Sequence, residues 1–172
     1  MKAMIVIDIQ NDYFEGGAFP LANAEATLEN ILKAVQLAQN HNYPVILVQH
    51  LANPEAGPAP FFNKGTAGAE IHPRLAAVKN TELVVKQFSD SFHKTDLEAV
   101  LAKHGVEELL VCGMMTQNCV VHTAISQQAA KYKVKVLSDC CASQSEMIHM
   151  IGLHGMSHGR IANGRIRLVS QE

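Results

Sequence analysis

The 172-residue chain is short of charge: Asp, Glu, Lys and Arg make up only 17% of it, against about 25% in a typical soluble domain. Its 14 basic and 16 acidic residues leave a formal charge of −2. That near-balance argues against a nucleic-acid or anionic-membrane partner, since both want a basic face. No apolar run approaches the roughly 18 residues that a membrane span needs. The opening stretch, Met1-Lys-Ala-Met-Ile-Val-Ile-Asp8, is too short in apolar residues for a signal peptide and lacks a small-residue cleavage site. Without a secretory signal, Cys112, Cys119, Cys140 and Cys141 are expected to be reduced thiols in the cytoplasm. The absence of Cys-x-x-Cys weakens zinc-ribbon and thioredoxin-like readings. Repeats, low-complexity segments and interdomain linkers are absent too. The expectation is one domain over residues 1–172, large enough to bury roughly 70% of its unfolded surface without a disulfide or metal. A surface so poor in charge also suggests a homo-oligomer, a dimer or tetramer.

What the chain does contain is a strict alternation of apolar β-branched runs and helical patterns. Strands are expected over 4–7, 44–48, 82–86, 108–112, 134–137 and 165–169. Leu28, Ile31, Leu32, Val35 and Leu37 to Ala38 keep helical spacing between Asn23 and His41. Further helices are expected over 96–104, with Thr95 as N-cap and Glu98 completing a capping box, over 117–131 and over 144–158. The β-α-β-α order with continuous apolar strands implies an α/β fold. It is a three-layer α/β/α sandwich, Rossmann-like, with a six-stranded parallel sheet covered on both faces. Residues 51–80 form a long connection with Pro54, Gly57, Pro58, Pro60, Gly65 and Gly68, and connections of that length are more often functional than idle.

Ligands of open parallel sheets bind beyond the carboxyl ends of the strands, near a topological switch point. At those ends stand Asp8 after strand one, Lys86 closing strand three and Cys119 just after strand four. An acid, an amine and a thiol from three strand ends make an acyl-transfer site. Cys119 would be the nucleophile, Lys86 and a helix N-terminus capped by Thr116 would lower its pKa, and Asp8 would move protons as general base and then acid. Backbone N–H groups around Met115 and Cys119 would hold the oxyanion. Against this stand ordinary readings: a buried hydrophobic Cys, a turn-capping Asp and a solvated Lys.

The segments that carry these residues resemble the isochorismatase-like cysteine hydrolases, a family that includes nicotinamidases, other small-amide hydrolases and isochorismatases. The resemblance spans nearly the whole chain. It rests on Ile7-Asp-Ile-Gln-Asn-Asp12, Lys64-Gly-Thr-Ala-Gly-Ala-Glu-Ile-His-Pro73, Lys86 followed by Ser91-Phe92 and Thr95-Asp-Leu97, Cys112-Gly-Met-Met-Thr-Gln-Asn-Cys-Val120, and Ser138-Asp-Cys-Cys-Ala142. It implies a triad of Asp8, Lys86 and Cys119, and a non-proline cis peptide at Met114–Met115 that aims the Met115 N–H into the oxyanion site. It also implies hydrolysis of a C–N bond in a small amide-like molecule through a thioester. The chain departs from the metal-holding nicotinamidases, which carry Asp-x-His after strand two; here Gln49-His50-Leu-Ala-Asn-Pro54 stands in that place. His50 and His72 without that carboxylate make a poor zinc site, so no metal or other cofactor is expected, and His72 is assigned to the structure of its loop.

Gln10, Phe14, Phe19, Phe61 and Phe62 are candidates for the wall of a small pocket over the triad. His149, His154 and His158 read as a helix face, and Gly152, Gly155 and Gly159 as sites of close helix packing. Cys112, Cys140 and Cys141 read as packing. Three rivals remain: vinyl-ether hydrolysis, with Asp8 protonating the substrate and Cys119 a spectator; a non-catalytic binding member of the same fold; and a redox-sensing thiol protein, which no Cys-x-x-Cys supports.

Overall fold

The alternating pattern folds as a parallel sheet between helices. In chain order the elements are β1 (Lys2–Ile7), α1 (Ala24–Asn40), β2 (Val45–His50), α2 (Pro73–Ala76), β3 (Thr81–Lys86), α3 (Leu97–Lys103), β4 (Glu108–Met114), α4 (Val121–Ala124), β5 (Lys133–Ala142), α5 (Glu146–His158) and β6 (Arg167–Val169). They come from a computed structural model that describes residues 1–158 and 167–169. Residues 165 and 166 of the last expected strand, and Gly159, lie outside the described residues. The sheet runs β3-β2-β1-β4-β5-β6 with every pairing parallel. The order reverses between β1 and β4, which puts the switch point between those two strands. No helix among the described residues is long and apolar enough to cross a membrane.

The strands β1 and β2 are buried almost throughout, as expected of strands covered on both faces. β3 is different. At the sheet edge its burial alternates, with Val84 and Lys86 turned inward and Leu83 and Val85 exposed. The period of 2 carries Lys86 to the same face as Val84, so its ammonium enters the interior. On α1, Leu28, Ile31, Ala34, Val35 and Ala38 form the buried stripe, which packs on β5, β1 and β2.

Two expected helices differ. The segment 117–131 is not one helix: a π-helical turn over Thr116–Val120 leads into the four-residue α4, and a 3-10 segment follows over Gln127–Lys131. Val120, Val121, Thr123 and Ile125 are β-branched and poor in helix propensity. Ser126 is drawn out of the helical path by bonds to Asp90 Oδ2 at 2.8 Å and Gln128 Oε1 at 2.9 Å. The N-cap of α3 is Asp96 rather than Thr95. Thr95 Oγ1 accepts from the Leu97 N–H at 3.3 Å and donates to Ser91 O at 2.6 Å, while Glu98 pairs with Lys131 instead of closing a capping box.

Two close approaches position the site. Gly113 has φ +127°, and a Cβ there would lie 2.1 Å from Ile7 O; only glycine lets β4 come this near the end of β1. The long connection is tied back by Asp12, whose carboxylate accepts from Ala18 N at 3.1 Å and Phe62 N at 2.7 Å. Gly68 packs directly on that carboxylate. Asn11 adds a bond from its side chain to Ala67 O at 2.9 Å and one from its backbone N–H to Glu70 O at 3.0 Å.

Candidate active site

Four adjacent strands each deliver one polar side chain to the carboxyl edge of the sheet. Lys86 closes β3, His50 closes β2, Asp8 follows β1, and Cys119 sits in the π-helical turn after β4. Asp8 takes φ 55°, in the left-handed region that Asp tolerates better than most residues; its N–H donates to Val48 O at 3.0 Å.

Lys86 Nζ is the hub. It donates to Asp8 Oδ2 at 2.9 Å, Phe88 O at 3.1 Å and Cys119 Sγ at 3.2 Å, and stands 2.9 Å from His50 Nδ1. Lys86 and Asp8 are fully buried and Cys119 almost so. The sequence-predicted Asp8, Lys86 and Cys119 therefore converge. Burial works against the Lys86 charge, but Asp8 and Cys119 outweigh it and raise the lysine pKa. Lys86 thus stays an ammonium.

Cys119 contradicts one expectation. Its pKa is raised, not lowered: burial pushes it up, the Asp8 charge adds to that, and Lys86 only partly offsets both. The helix terminus invoked for the thiolate is also weaker than expected. Thr116 does not cap it; Met115 holds the N-cap position and α4 is only four residues long. Thr116 Oγ1 instead bonds His149 Nδ1 at 2.7 Å, so His149 ties α5 to the turn that carries Cys119 rather than simply lining a helix face. At rest Cys119 is a thiol. Asp8 Oδ1 is buried with no nitrogen or oxygen partner among the described residues.

The Met114–Met115 peptide bond is cis. Among the expected pocket residues, Gln10 has another task. It is wholly buried, its Nε2 donates to His50 O at 2.8 Å and Ala69 O at 2.7 Å, and its Oε1 accepts from His50 N at 2.8 Å. With its amide committed to backbone, Gln10 is a strut, not a wall. Phe14 packs against His72, with ring centroids 4.5 Å apart. His72 Nδ1 accepts from Arg74 N at the start of α2, a loop-structural role. Phe19, Phe61 and Phe62 form a cluster around Tyr13, and Phe62 reaches the His50 ring at 5.9 Å. Cys112, Cys140 and Cys141 are buried thiols with pKa values pushed up, that of Cys141 to about 12. Gly152 packs on the Gln117 backbone, whereas Gly155 faces open space.

Sequence reasoning missed two residues. The sequence offers His50 only as half of a zinc site, although its place at the end of β2, between the strands of Asp8 and Lys86, is a readable signal. Tyr13 escaped because nothing in the Asn11-Asp-Tyr spacing says that its hydroxyl feels Asp8 and Cys119. Burial raises its pKa first and the Asp8 charge raises it further. Asp8, His50 and Cys119 each offer one metal-ligand atom, all within 4.8 Å of one another. The Lys86 ammonium lies within hydrogen-bond reach of all three residues and takes the place of a cation.

The isochorismatase domain profile matches residues 2–163. The uncharacterized isochorismatase family protein YddQ of Bacillus subtilis (strain 168) is 39% identical over 146 residues, which cover 85% of this chain and 80% of that protein. The nicotinamidase of Escherichia coli (strain K12) is 28% identical over 81% of this chain and 82% of its own length. An isochorismatase-like hydrolase from Alkaliphilus metalliredigens superposes with a TM-score of 0.85 at 26% identity, covering 98% of this chain and 94% of that one. With its profile matched almost from end to end and its strand order and site edge in place, the chain belongs to the isochorismatase family of hydrolases.

Proposed function

We propose that the protein is a cysteine-dependent hydrolase that cleaves the C–N bond of a small amide. The observation that carries this reading is the buried Lys86 ammonium within hydrogen-bond distance of both Asp8 and Cys119. Cys119 Sγ attacks the carbonyl carbon while its proton passes to Asp8. The oxyanion is met by the Met115 and Cys119 N–H groups. Asp8 then gives the proton to the leaving nitrogen as the C–N bond breaks, releasing ammonia or an amine and leaving a thioester. Water adds to the thioester as Asp8 takes its proton, the C–S bond breaks, and the proton returns to the thiol. Lys86 keeps its charge throughout and holds Asp8 in place. The likeness to the Escherichia coli nicotinamidase favours amides among possible substrates.

Two further expectations belong to this reading. The protein works in the cytoplasm, where four free thiols persist. It also self-associates, because α5 presents Met147, Met150 and Ile151 at 74%, 55% and 62% exposure, an i, i+3, i+4 stripe with nothing over it among the described residues.

The test is an ammonia-release screen over small amides, including nicotinamide, with wild type and Cys119→Ala in parallel. Turnover that disappears with Cys119→Ala supports the thioester route. Ammonia release that persists in Cys119→Ala would overturn the thioester route, and turnover of a vinyl ether that Cys119→Ala leaves unchanged, with no ammonia from any amide, would favour the chemistry in which Asp8 protonates the substrate.

A further inference from the structure

His50 is the part of the polar centre that the triad does not account for. Its backbone is clamped on both sides by the Gln10 amide, with N–H and C=O each bonded at 2.8 Å. Its Nδ1 is 2.9 Å from Lys86 Nζ. An ammonium has donors only, so Nδ1 must be the acceptor and the ring proton must sit on Nε2. Burial and the Lys86 charge both disfavour a second proton on the ring, which keeps it neutral. The side chain is 21% exposed while those of Asp8 and Lys86 are 0% exposed. His50 is thus the most exposed of these three side chains; it carries an N–H donor at Nε2, and its ring lies 5.9 Å from that of Phe62. No described residue accepts from Nε2.

We propose that His50 is a specificity residue: with Nδ1 fixed by Lys86, its Nε2–H donates a hydrogen bond to an acceptor atom on the body of the substrate, away from the scissile carbonyl. The inference rests on the hydrolase reading for the word substrate, but not for the binding itself. The preferred class is a small amide carrying a second acceptor, such as a ring nitrogen or a hydroxyl oxygen. A molecule of the same shape with carbon in that position would leave a desolvated donor unpaired on the protein, which costs more than the missing bond alone.

The test uses isosteric pairs and equilibrium binding. In the full-length Cys119→Ala protein, which cannot form a thioester, nicotinamide is compared with benzamide and lactamide with isobutyramide by calorimetric titration. In at least one pair the acceptor-bearing amide should bind about tenfold more tightly, the factor set by one buried hydrogen bond. His50→Asn keeps an acceptor for Lys86 at the place of Nδ1 but has no atom at Nε2, so it should bring the ratio in that pair close to one. His50→Gln, which restores an N–H near Nε2, should recover part of it. The second measurement needs no variant at His50: the imidazole Nε2–H NMR resonance should shift with the acceptor-bearing amide and not with its partner. Equal binding within both pairs, a ratio that survives His50→Asn, or an unmoved Nε2–H resonance would overturn the proposal. If the ratio holds but wild type releases no Cys119-dependent ammonia, the hydrolase reading fails while the His50 assignment stands.

Discussion

Replacing Lys86 by methionine keeps most of the side-chain volume and deletes the charge at the hub. Three partners are stranded at once. Asp8 loses its 2.9 Å bond at Oδ2 while Oδ1 has no nitrogen or oxygen partner already. His50 Nδ1 and Phe88 O lose donors at 2.9 Å and 3.1 Å. Breaking a buried ion pair by removing one partner costs about 3–5 kcal/mol, because an uncompensated charge remains in the interior. In a domain of this size each kcal/mol moves Tm by about 2–4 °C, so Lys86→Met should lower Tm by roughly 6–20 °C. On the proposed mechanism it should also lower kcat by about 10²–10⁴, because Asp8 would no longer be held for proton transfer.

The decisive quantity is the coupling between Lys86 and Asp8, measured as a double-mutant cycle in urea. Asp8→Asn removes the other charge, leaving Lys86 unpaired, and should be costly for the same reason. The double variant Asp8→Asn/Lys86→Met has no buried charge to strand. It should be more stable than the sum of the single losses predicts, by about 2–3 kcal/mol. Additive losses, or a Lys86→Met protein within about 0.5 kcal/mol of wild type, would refute the view that these two charges neutralise each other in a dry interior.

Three more outcomes are expected. Lys86→Ala, which empties the centre without filling it, should bind one zinc ion per chain through Asp8, His50 and Cys119, whose ligand atoms lie within 4.8 Å of one another. Wild type and Lys86→Ala/Cys119→Ala should bind none, as read by equilibrium dialysis and metal analysis. Gly113→Ala puts a Cβ 2.1 Å from Ile7 O at φ +127°. It should cost about 3 kcal/mol or more, seen as a lowered urea midpoint or loss of soluble protein. The His50 pKa is lowered from 6.5, so between 6.5 and that lower value the unfolded chain binds the proton and the folded chain does not. Stability is therefore full above pH 6.5 and lost as pH falls through that window; His72 and His149 contribute in the same sense. Subtracting the profile of His50→Asn from that of wild type isolates the His50 share, and a flat difference would contradict its neutral state.

Much of this site was legible because its signals are local. Asp8 and Lys86 stand at the ends of readable apolar runs, and the parallel order follows from strand and helix alternation alone, so their meeting needed only the rule about strand carboxyl edges. What could not be read depends on distant partners. The helix after β4 breaks because Ser126 is held by Asp90, thirty-six positions back in the chain, and no local pattern announces that contact. Gln10 is expected in the pocket wall, yet its amide is spent on residues 50 and 69. The state of the Cys119 thiol is hidden from the sequence for a related reason. A nearby lysine and a helix start are visible in sequence, whereas the depth of burial that outweighs them is a property of the packed domain.

A thiol with a raised pKa does not conflict with a thiol nucleophile once the whole centre is counted. At rest it holds Asp8 as partner of Lys86, a neutral His50 and a neutral Cys119, for a net charge of zero. Moving one proton from Cys119 to Asp8 leaves that total unchanged, so no net charge enters the interior and the desolvation cost of a bare thiolate is not met in full. The same transfer removes the Asp8 charge that helped to raise the thiol pKa, and it frees Lys86 from its 2.9 Å bond to serve the sulfur 3.2 Å away. Four acceptors already compete for three ammonium protons, and sulfur holds the longest of the four contacts. As a thiol it needs no donor; as a thiolate it becomes the strongest claimant. On the proposed mechanism, reactivity is therefore gated by proton position: the nucleophile is created as the substrate carbonyl arrives, and the buried ammonium is what lets the charge change owners without leaving the site.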